Sequence, residues 1–229
     1  MNIFIRELKA NARSLFFWSL FAIFFIYMGI SKFAAFTSVD SDIMSMLEGI
    51  PPAVLDALQL EAFNLTTISG YYGVMYSYFA LMASIFAVLL GNGIIAKEER
   101  DKTVEFSLTL PIPRHKLITG KTLAAVVNCL VFVLVMWGGS YIAVAPYEPD
   151  AAFYEYLSLM MVSVFIMELI FLAIGVLLGA AMKEYKQSGS VAVALLLSTF
   201  IFSIVSAFSE QLDFLKYVSP FRYFDPLLM

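Results

Sequence analysis

The sequence predicts an all-α fold, a polytopic bundle of transmembrane helices with five spans. Of the 229 residues, 61% are hydrophobic and only 14% are charged, and the mean hydropathy is +0.86. A chain of this composition cannot form a single water-facing globule. Its charges are separated by apolar stretches, each long enough to cross a hydrocarbon core of about 30 Å as a helix. Lipid is therefore the expected solvent for most of the chain.

Charge-free stretches define the spans in chain order. Between Arg13 and Lys32 lie 18 uncharged residues, which reach about 27 Å as a helix. They begin the first span, residues 14–36, in which Lys32 can extend its ammonium group towards water. The other spans are predicted at residues 71–96, 122–145, 156–182 and 187–209. The connections between and after them are predicted as an external loop over 37–70, a cytoplasmic segment over 97–121 and an external segment over 210–229.

Residues 1–13 are predicted to form an amphipathic helix in the membrane interface. Arg6, Lys9 and Arg13 recur at helical spacing, and apolar side chains such as Leu8 point the other way. A frayed basic tail that only sets the topology is the alternative. The apolar stretch that follows is longer than a usual signal core and has no small-x-small cleavage site, so it is predicted to be a retained anchor.

The distribution of Lys and Arg predicts the orientation. Eleven of the 14 basic residues lie in the N-terminal arm, in residues 97–121 and in the turn between the fourth and fifth spans. The connections over 37–70 and 146–155 carry eight acidic residues and no basic one. By the positive-inside rule, the N-terminus is cytoplasmic. Tyrosines such as Tyr71 and Tyr72 at the predicted outer ends suit either the headgroup layer or packing between helices.

The cytoplasmic segment contains a short amphipathic element. Its charged start gives way to a helix-compatible stretch in which Val104 and Leu108 offer an apolar ridge. Pro111 and Pro113 end that stretch, because proline lacks the backbone donor and disfavours helix in the residue before it. Such an element, held between two spans, can dock into a groove on a soluble partner. A solvated loop whose charges only set the topology is the alternative.

Three stretches of the chain resemble the type 2 permease subunits of bacterial ATP-binding-cassette (ABC) transporters. RELKANARSLFFWS is similar to the family's amphipathic opening and first span. GNGIIAKEERDKTVEFSLTLPIPRHKLITGKTLA resembles its signature region after the second span, and LKYVSPFRYFDP resembles the segment before its sixth span. The three occur in the family's order along nearly the whole chain.

The resemblance implies a multi-pass subunit of the bacterial cytoplasmic membrane. It favours an exporter, in which the subunit forms the translocation path together with a second permease copy or paralogue. It implies that ATP is hydrolysed on separate cytoplasmic ABC ATPase subunits, gripped through a coupling helix at Asp101 to Leu110. The residues that this assigns to ATPase coupling are Glu98, Glu99, Asp101, Thr103, Val104, Glu105, Phe106, Leu108, Leu110, Pro111 and Arg114. The family usually has six spans, so a sixth helix is expected beyond Met229. A non-transporting membrane scaffold or sensor with the same fold is the alternative.

The sequence predicts no enzyme active site, cofactor, metal site or nucleic-acid partner. Gly120-Lys121-Thr122 ends like a phosphate-binding loop, but His115 stands where the first glycine is required and a membrane helix follows. Glu98-Glu99 is similar to the paired glutamates of intramembrane CAAX-type proteases. Thr103, however, stands where that family has arginine, and the chain has a single histidine. The residues show no zinc-ligand spacing.

Two features inside the predicted spans are candidates for function or packing. Glu168 has apolar neighbours on both sides, and exposing its charge to lipid costs a few kcal/mol. It is predicted to face the bundle or a wet cavity, where it contacts a substrate or cation near Asn128, or else to be a protonated, hydrogen-bonded packing residue. Gly175 and Gly179 lie on one helical face and permit close contact with another helix, within or between subunits.

Overall fold

The fold, described by a computed structural model, is built of α-helices. The structure describes residues 3–33, 67–100, 113–182, 184–208, 214, 217–224 and 226, and these contain no strand. Five long helices and a short one fall within them: α1 (Ile3–Ser31), α2 (Ile68–Arg100), α3 (Arg114–Val144), α4 (Ala151–Ala181), α5 (Tyr185–Phe208) and α6 (Pro220–Tyr223). A single 3-10 turn, Ala145–Tyr147, follows α3.

All five long helices have the length and apolar composition needed to cross a membrane. The predicted all-α polytopic architecture is therefore confirmed. Several helices extend beyond the predicted spans: α3 begins at Arg114 and α4 at Ala151. The reason is physical, because charges mark where a helix leaves the hydrocarbon and not where its hydrogen-bonding ends. Helix α1 joins the predicted interfacial segment to the first span without a break and ends at Ser31, before the predicted end of that span at residue 36. Residues 34–66, which include most of the external loop predicted over 37–70, lie outside the described residues.

Side-chain hydrogen bonds cap the N-terminal ends of two of the long helices. Asp150 Oδ1 accepts a hydrogen bond from the backbone N–H of Phe153 at 2.9 Å, which caps α4. Thr67 Oγ1 likewise accepts from the N–H of Gly70 at 3.2 Å at the start of α2. Such caps satisfy N–H groups that have no partner within the helix. Before α4, Glu148 adopts the left-handed conformation with φ 46°, which reverses the chain after the 3-10 turn.

Helix packing divides the chain into two compact units. Unit 1 is formed by Met1–Leu20, Met82–Leu134 and Val164–Leu197, and unit 2 by Phe21–Leu81, Val135–Ser163 and Ser198–Met229.

In unit 2, buried tyrosines join α1, α2 and α3. The Tyr71 hydroxyl donates to the Gly29 carbonyl at 2.8 Å, and the Tyr72 hydroxyl donates to Ser140 Oγ at 2.6 Å. The Phe33 ring packs between those of Tyr71 and Tyr147, with centroids 5.3 and 5.1 Å away. A buried tyrosine needs such a partner for its hydroxyl group. Of the two roles the sequence allows for Tyr71 and Tyr72, packing between helices is therefore the one observed.

In unit 1, the backbones of α2 and α4 are in direct contact at glycines. A Cβ atom placed on Gly175 would lie 2.9 Å from the backbone nitrogen of Asn92, and closer still to the Val88 carbonyl oxygen. One placed on Gly91 would lie 3.0 Å from the backbone nitrogen of Val176. Side chains do not tolerate such distances, so this approach is possible only because these residues are glycine.

The same contact fixes the register and direction of the two helices. Asn92 meets both Gly175 and Gly179, whose added Cβ atom would lie 2.9 Å from the Asn92 carbonyl oxygen. Val88 meets Gly175, and Asn92, one turn later on α2, meets Gly179, one turn later on α4. The contacts therefore advance in the same direction along both helices. The two helices therefore run parallel, as two spans separated by one intervening span must.

We expect Gly91→Ala to destabilise the protein by about 1 to 3 kcal/mol, because a methyl group there overlaps the backbone of α4. Gly93→Ala is the matched control, since nothing lies within 4 Å of a Cβ atom at Gly93. Alanine also favours helix over glycine by about 1 kcal/mol, so the control should be neutral or stabilising. Thermal unfolding of the purified variants measures both effects, and equal melting temperatures would contradict the glycine contact.

Candidate functional site

The predicted ATPase-coupling residues lie at or beyond the ends of α2 and α3. Glu98 and Glu99 belong to the last turn of α2, and Arg114 is the first residue of α3, although their side chains are outside the described part of the structure. The remaining coupling residues also lie outside the described residues: Asp101, Thr103, Val104, Glu105, Phe106, Leu108, Leu110 and Pro111. The structure therefore describes the two helices that flank the segment.

Lys121 connects those two helices. Its side chain is only 2% exposed, and its Nζ atom donates a hydrogen bond to the Ile94 carbonyl oxygen at 3.2 Å. Lysine is rarely buried without such a partner. The neighbouring Gly120 lies against the first turn of α1, where an added Cβ atom would be 3.6 Å from Ile3 Cγ2. Parts of α1, α2 and α3 thus meet where the coupling segment begins and ends.

The Glu168 carboxyl group is enclosed in unit 1. The residue has an exposed fraction of 0%, and neither carboxyl oxygen has a hydrogen-bond partner. A buried polar group normally has at least one partner, so this exception calls for an explanation. The hydrogen bonds expected of a packing residue are thus absent from the Glu168 carboxyl group.

Two buried side chains of unit 1, one on α3 and one on α2, are neutral groups that belong to the same unit as this carboxyl group. Cys129 of α3 is buried and lies within electrostatic range of Glu168. Ser84 of α2 is buried and its Oγ atom has no hydrogen-bond partner. Glu168 precedes Gly175 by seven residues, and Ser84 precedes Gly91 by seven, so both lie on the faces by which α2 and α4 touch.

Asn128 and Asn92 are two further buried amides in unit 1. The Asn128 side-chain nitrogen donates to the Ala124 carbonyl oxygen of its own helix at 2.7 Å, so this amide group makes no hydrogen bond to Glu168. Asn92 Oδ1 has no partner, and its Nδ2 atom would lie 3.3 Å from a Cβ atom on Gly189 of α5. Asn92 therefore stands where α5 approaches the contact between α2 and α4.

Sequence reasoning located half of this arrangement. It singled out Glu168, Asn128, Gly175 and Gly179, but it assigned no role to Gly91, Asn92 or Ser84. Lys121 was considered only as a topology charge and in the rejected match to a phosphate-binding loop. The signal for Gly91 and Asn92 is the run Gly91-Asn92-Gly93 within an apolar span, with Ser84 two turns earlier on the same face.

The metal-binding chemistry of the described residues is limited. They contain no group of three or more His, Cys, Asp or Glu side chains that could hold a metal ion. Glu168 is thus not part of such a cluster among these residues, and the chemistry that its carboxyl group offers is binding of a proton or of one cationic group.

Five long apolar helices and an acid buried within one of them define a multi-pass membrane protein. The model of the ABC-2 family transporter proteins matches residues 1–228, so the chain belongs to that family. It is thus a permease of the ABC transporter class, and the resemblance found in the sequence is confirmed. Family membership also implies an ABC ATPase as its partner. No curated protein sequence matches the chain.

We expect Lys121→Met to destabilise the protein by about 1.5 to 3 kcal/mol, because it removes a charged hydrogen bond to a buried carbonyl group. Lys116→Met is the matched control on the same helix, since Lys116 is exposed, and it should change stability by less than about 0.5 kcal/mol. Thermal unfolding in detergent compares the two variants. A Lys121 variant as stable as the control would show that the bond to Ile94 contributes nothing.

Proposed function

We propose that the protein is the membrane subunit of an ABC exporter, which forms the translocation path and is driven by a separate cytoplasmic ATPase. The observation that carries this proposal is the family match along residues 1–228. The distribution of charge supports the sidedness that the proposal needs, because the flanks of the coupling segment are rich in Lys and Arg. The segment at Asp101 to Leu110 is then the surface on which the ATPase acts.

The contacts of unit 1 provide a route by which the ATPase can move the spans. Residues 101–113 connect the end of α2 to the start of α3, and the Lys121 bond to Ile94 joins those two helices. Helix α2 in turn touches α4 through Gly91. Because a helix transmits displacement along its axis, we infer that movement of the coupling segment shifts α2 and α3 together and changes the contact with α4.

The exposed surface of α1 supports assembly with a second permease. Phe16, Phe17, Phe24 and Tyr27 are each at least 60% exposed. Lipid covers such a surface in a membrane, and a second permease copy or paralogue could cover part of it. Two permeases and two ATPases form the exporter that we propose.

The coupling segment is tested by disrupting its apolar ridge. Each of Val104→Asp and Leu108→Asp should weaken the ATPase complex about 10- to 100-fold, since burying such a side chain contributes about 1.5 to 3 kcal/mol. Co-purification and stimulation of ATP hydrolysis by the permease are the measurements. Thr109→Asp is the control, because position 109 lies about 100° or more around the predicted helix from both ridge positions. Undiminished stimulation in both ridge variants would contradict the mapping.

The orientation is tested with single introduced cysteines. Cys129, the one native cysteine, is fully buried and gives little background. We expect Ala145→Cys, an exposed position after α3, to react with a membrane-impermeant maleimide on intact cells. Lys116→Cys, exposed near the start of α3, should react only after the cells are permeabilised. The reverse pattern would invert the topology and remove the coupling segment from the cytosol.

A further inference from the structure

We propose that Glu168 is a proton-binding site, whose carboxyl group holds a proton while α2 and α4 are in contact and releases it to water when they separate. The proton binding follows from the packing of unit 1 alone. Its release during the ATPase cycle rests on the function proposed above.

The first observation is that Glu168 is buried without a hydrogen bond or an ion pair. Both oxygens are enclosed and neither has a partner. An ionised carboxylate in this position would cost several kcal/mol, since neither water nor a donor compensates for its lost hydration. A bound cation removes this cost.

Among the side chains that the structure describes, no basic group is placed to supply that cation. Lys121 is the buried basic residue in the described part of unit 1, and its ammonium group is bonded to Ile94. Ile94 lies ten residues beyond Ser84 on α2, which is about 15 Å along a helix. The Lys121 charge therefore does not neutralise Glu168.

Within the apolar stretches of the neighbouring helices there is no other acidic residue and one other titratable residue. Cys129 is the one titratable residue of α3 between positions 122 and 140, and it lies within electrostatic range. Residues 79–96 of α2, 187–206 of α5 and 14–26 of α1 contain none. By the register of the glycine contact, the α2 position on the face turned towards Glu168 is Ser84, whose hydroxyl group is neutral. None of these groups can form a salt bridge with a carboxylate.

The available space favours a proton over a metal ion. Hard cations such as Ca²⁺ take about six to eight oxygen ligands, and Mg²⁺ usually keeps several waters. The described residues offer no such cluster around Glu168. Two turns along the same face, the backbones of α2 and α4 touch at Gly91 and Gly175. A proton needs no ligand shell and no cavity, so it fits where a hydrated ion does not.

The same contact links the proton to movement. Glu168 and Ser84 each lie seven residues before a contact glycine, on the faces that α2 and α4 turn towards each other. Separation of these faces would admit water to the carboxyl group. Its O–H bond would then break, the proton would pass to water, and the carboxylate would remain solvated in the open state. Rebinding of a proton would allow the helices to close again.

Infrared spectroscopy of the purified permease in lipid nanodiscs tests the site without a known substrate. At neutral pH we expect the carbonyl band of one protonated carboxylic acid per chain, which disappears in Glu168→Gln. Glu155→Gln is the matched control, because Glu155 is an exposed glutamate at the start of the same helix, and it should retain the band. Identical spectra for wild type and Glu168→Gln would overturn the proposal, because the carboxyl group would then be ionised and paired with another cation.

A second measurement does not depend on the spectrum. In the unfolded chain, a glutamate side chain loses its proton above its ordinary pKa of about 4.3. If the folded protein keeps that proton, its stability falls as the pH rises. The unfolding equilibrium of the wild type should shift by up to about tenfold per pH unit relative to Glu168→Gln. Parallel pH profiles would overturn proton binding.

Addition of ATP to the complex with its ATPase tests the release step. A smaller carboxylic acid band during turnover in the wild type, with no change in Glu168→Gln, is the expected result. An unchanged band during permease-stimulated ATP hydrolysis would overturn release while leaving the proposed function intact. If the wild-type permease showed the carboxylic acid band at rest but did not stimulate ATP hydrolysis, the result would count against the proposed function and not against the proton site.

Discussion

The direct backbone contact between α2 and α4 is the constraint on which the rest of unit 1 depends. In lipid there is no hydrophobic driving force between apolar helices, so they associate through close packing, and packing is closest where side chains are absent. Gly91 and Gly175 each bring the opposing backbone nearer than any Cβ atom would permit. This contact fixes the register of the two helices, and through their helical repeat it places Ser84 and Glu168 on facing sides.

Two of the charged residues that unit 1 buries, Lys121 and Glu168, have different surroundings. Lys121 is buried, but its ammonium group donates a hydrogen bond to a backbone carbonyl group. That bond offsets part of the free-energy cost of burying the charge, and it joins α2 to α3. Glu168 is buried with both oxygens unpartnered. A purely structural role would favour either a hydrogen-bonded glutamate or its replacement by an apolar residue, because both are less costly than an unpaired acid. This difference is the reason for proposing that the Glu168 carboxyl group acts in a second state of the protein.

Composition and charge spacing were sufficient to predict the five apolar helices, because the cost of unpaired backbone groups in lipid leaves helices as the main solution for such stretches. The helix ends were less predictable: α4 begins five residues before its predicted span, at a cap supplied by Asp150. Gly175 and Gly179 were recognisable from their spacing, but spacing on one helix does not identify the partner helix. The Ile94 carbonyl group that binds Lys121 has no sequence signature at all, since every residue carries one.

Helix α2, which is unbroken from Ile68 to Arg100, leads to the proposed coupling segment and also contacts α4, the helix that carries Glu168. Its last turn leads directly into the segment proposed to bind the ATPase, and its contact with α4 at Gly91 and Asn92 lies about two turns along the helices from Glu168. A rigid helix has few ways to absorb a displacement applied at one end, so force on the coupling segment reaches the glycine contact instead of dissipating in a loop. On the proposed function, the element that a motor moves is therefore the same element that shields the buried acid, and no separate relay between them is required.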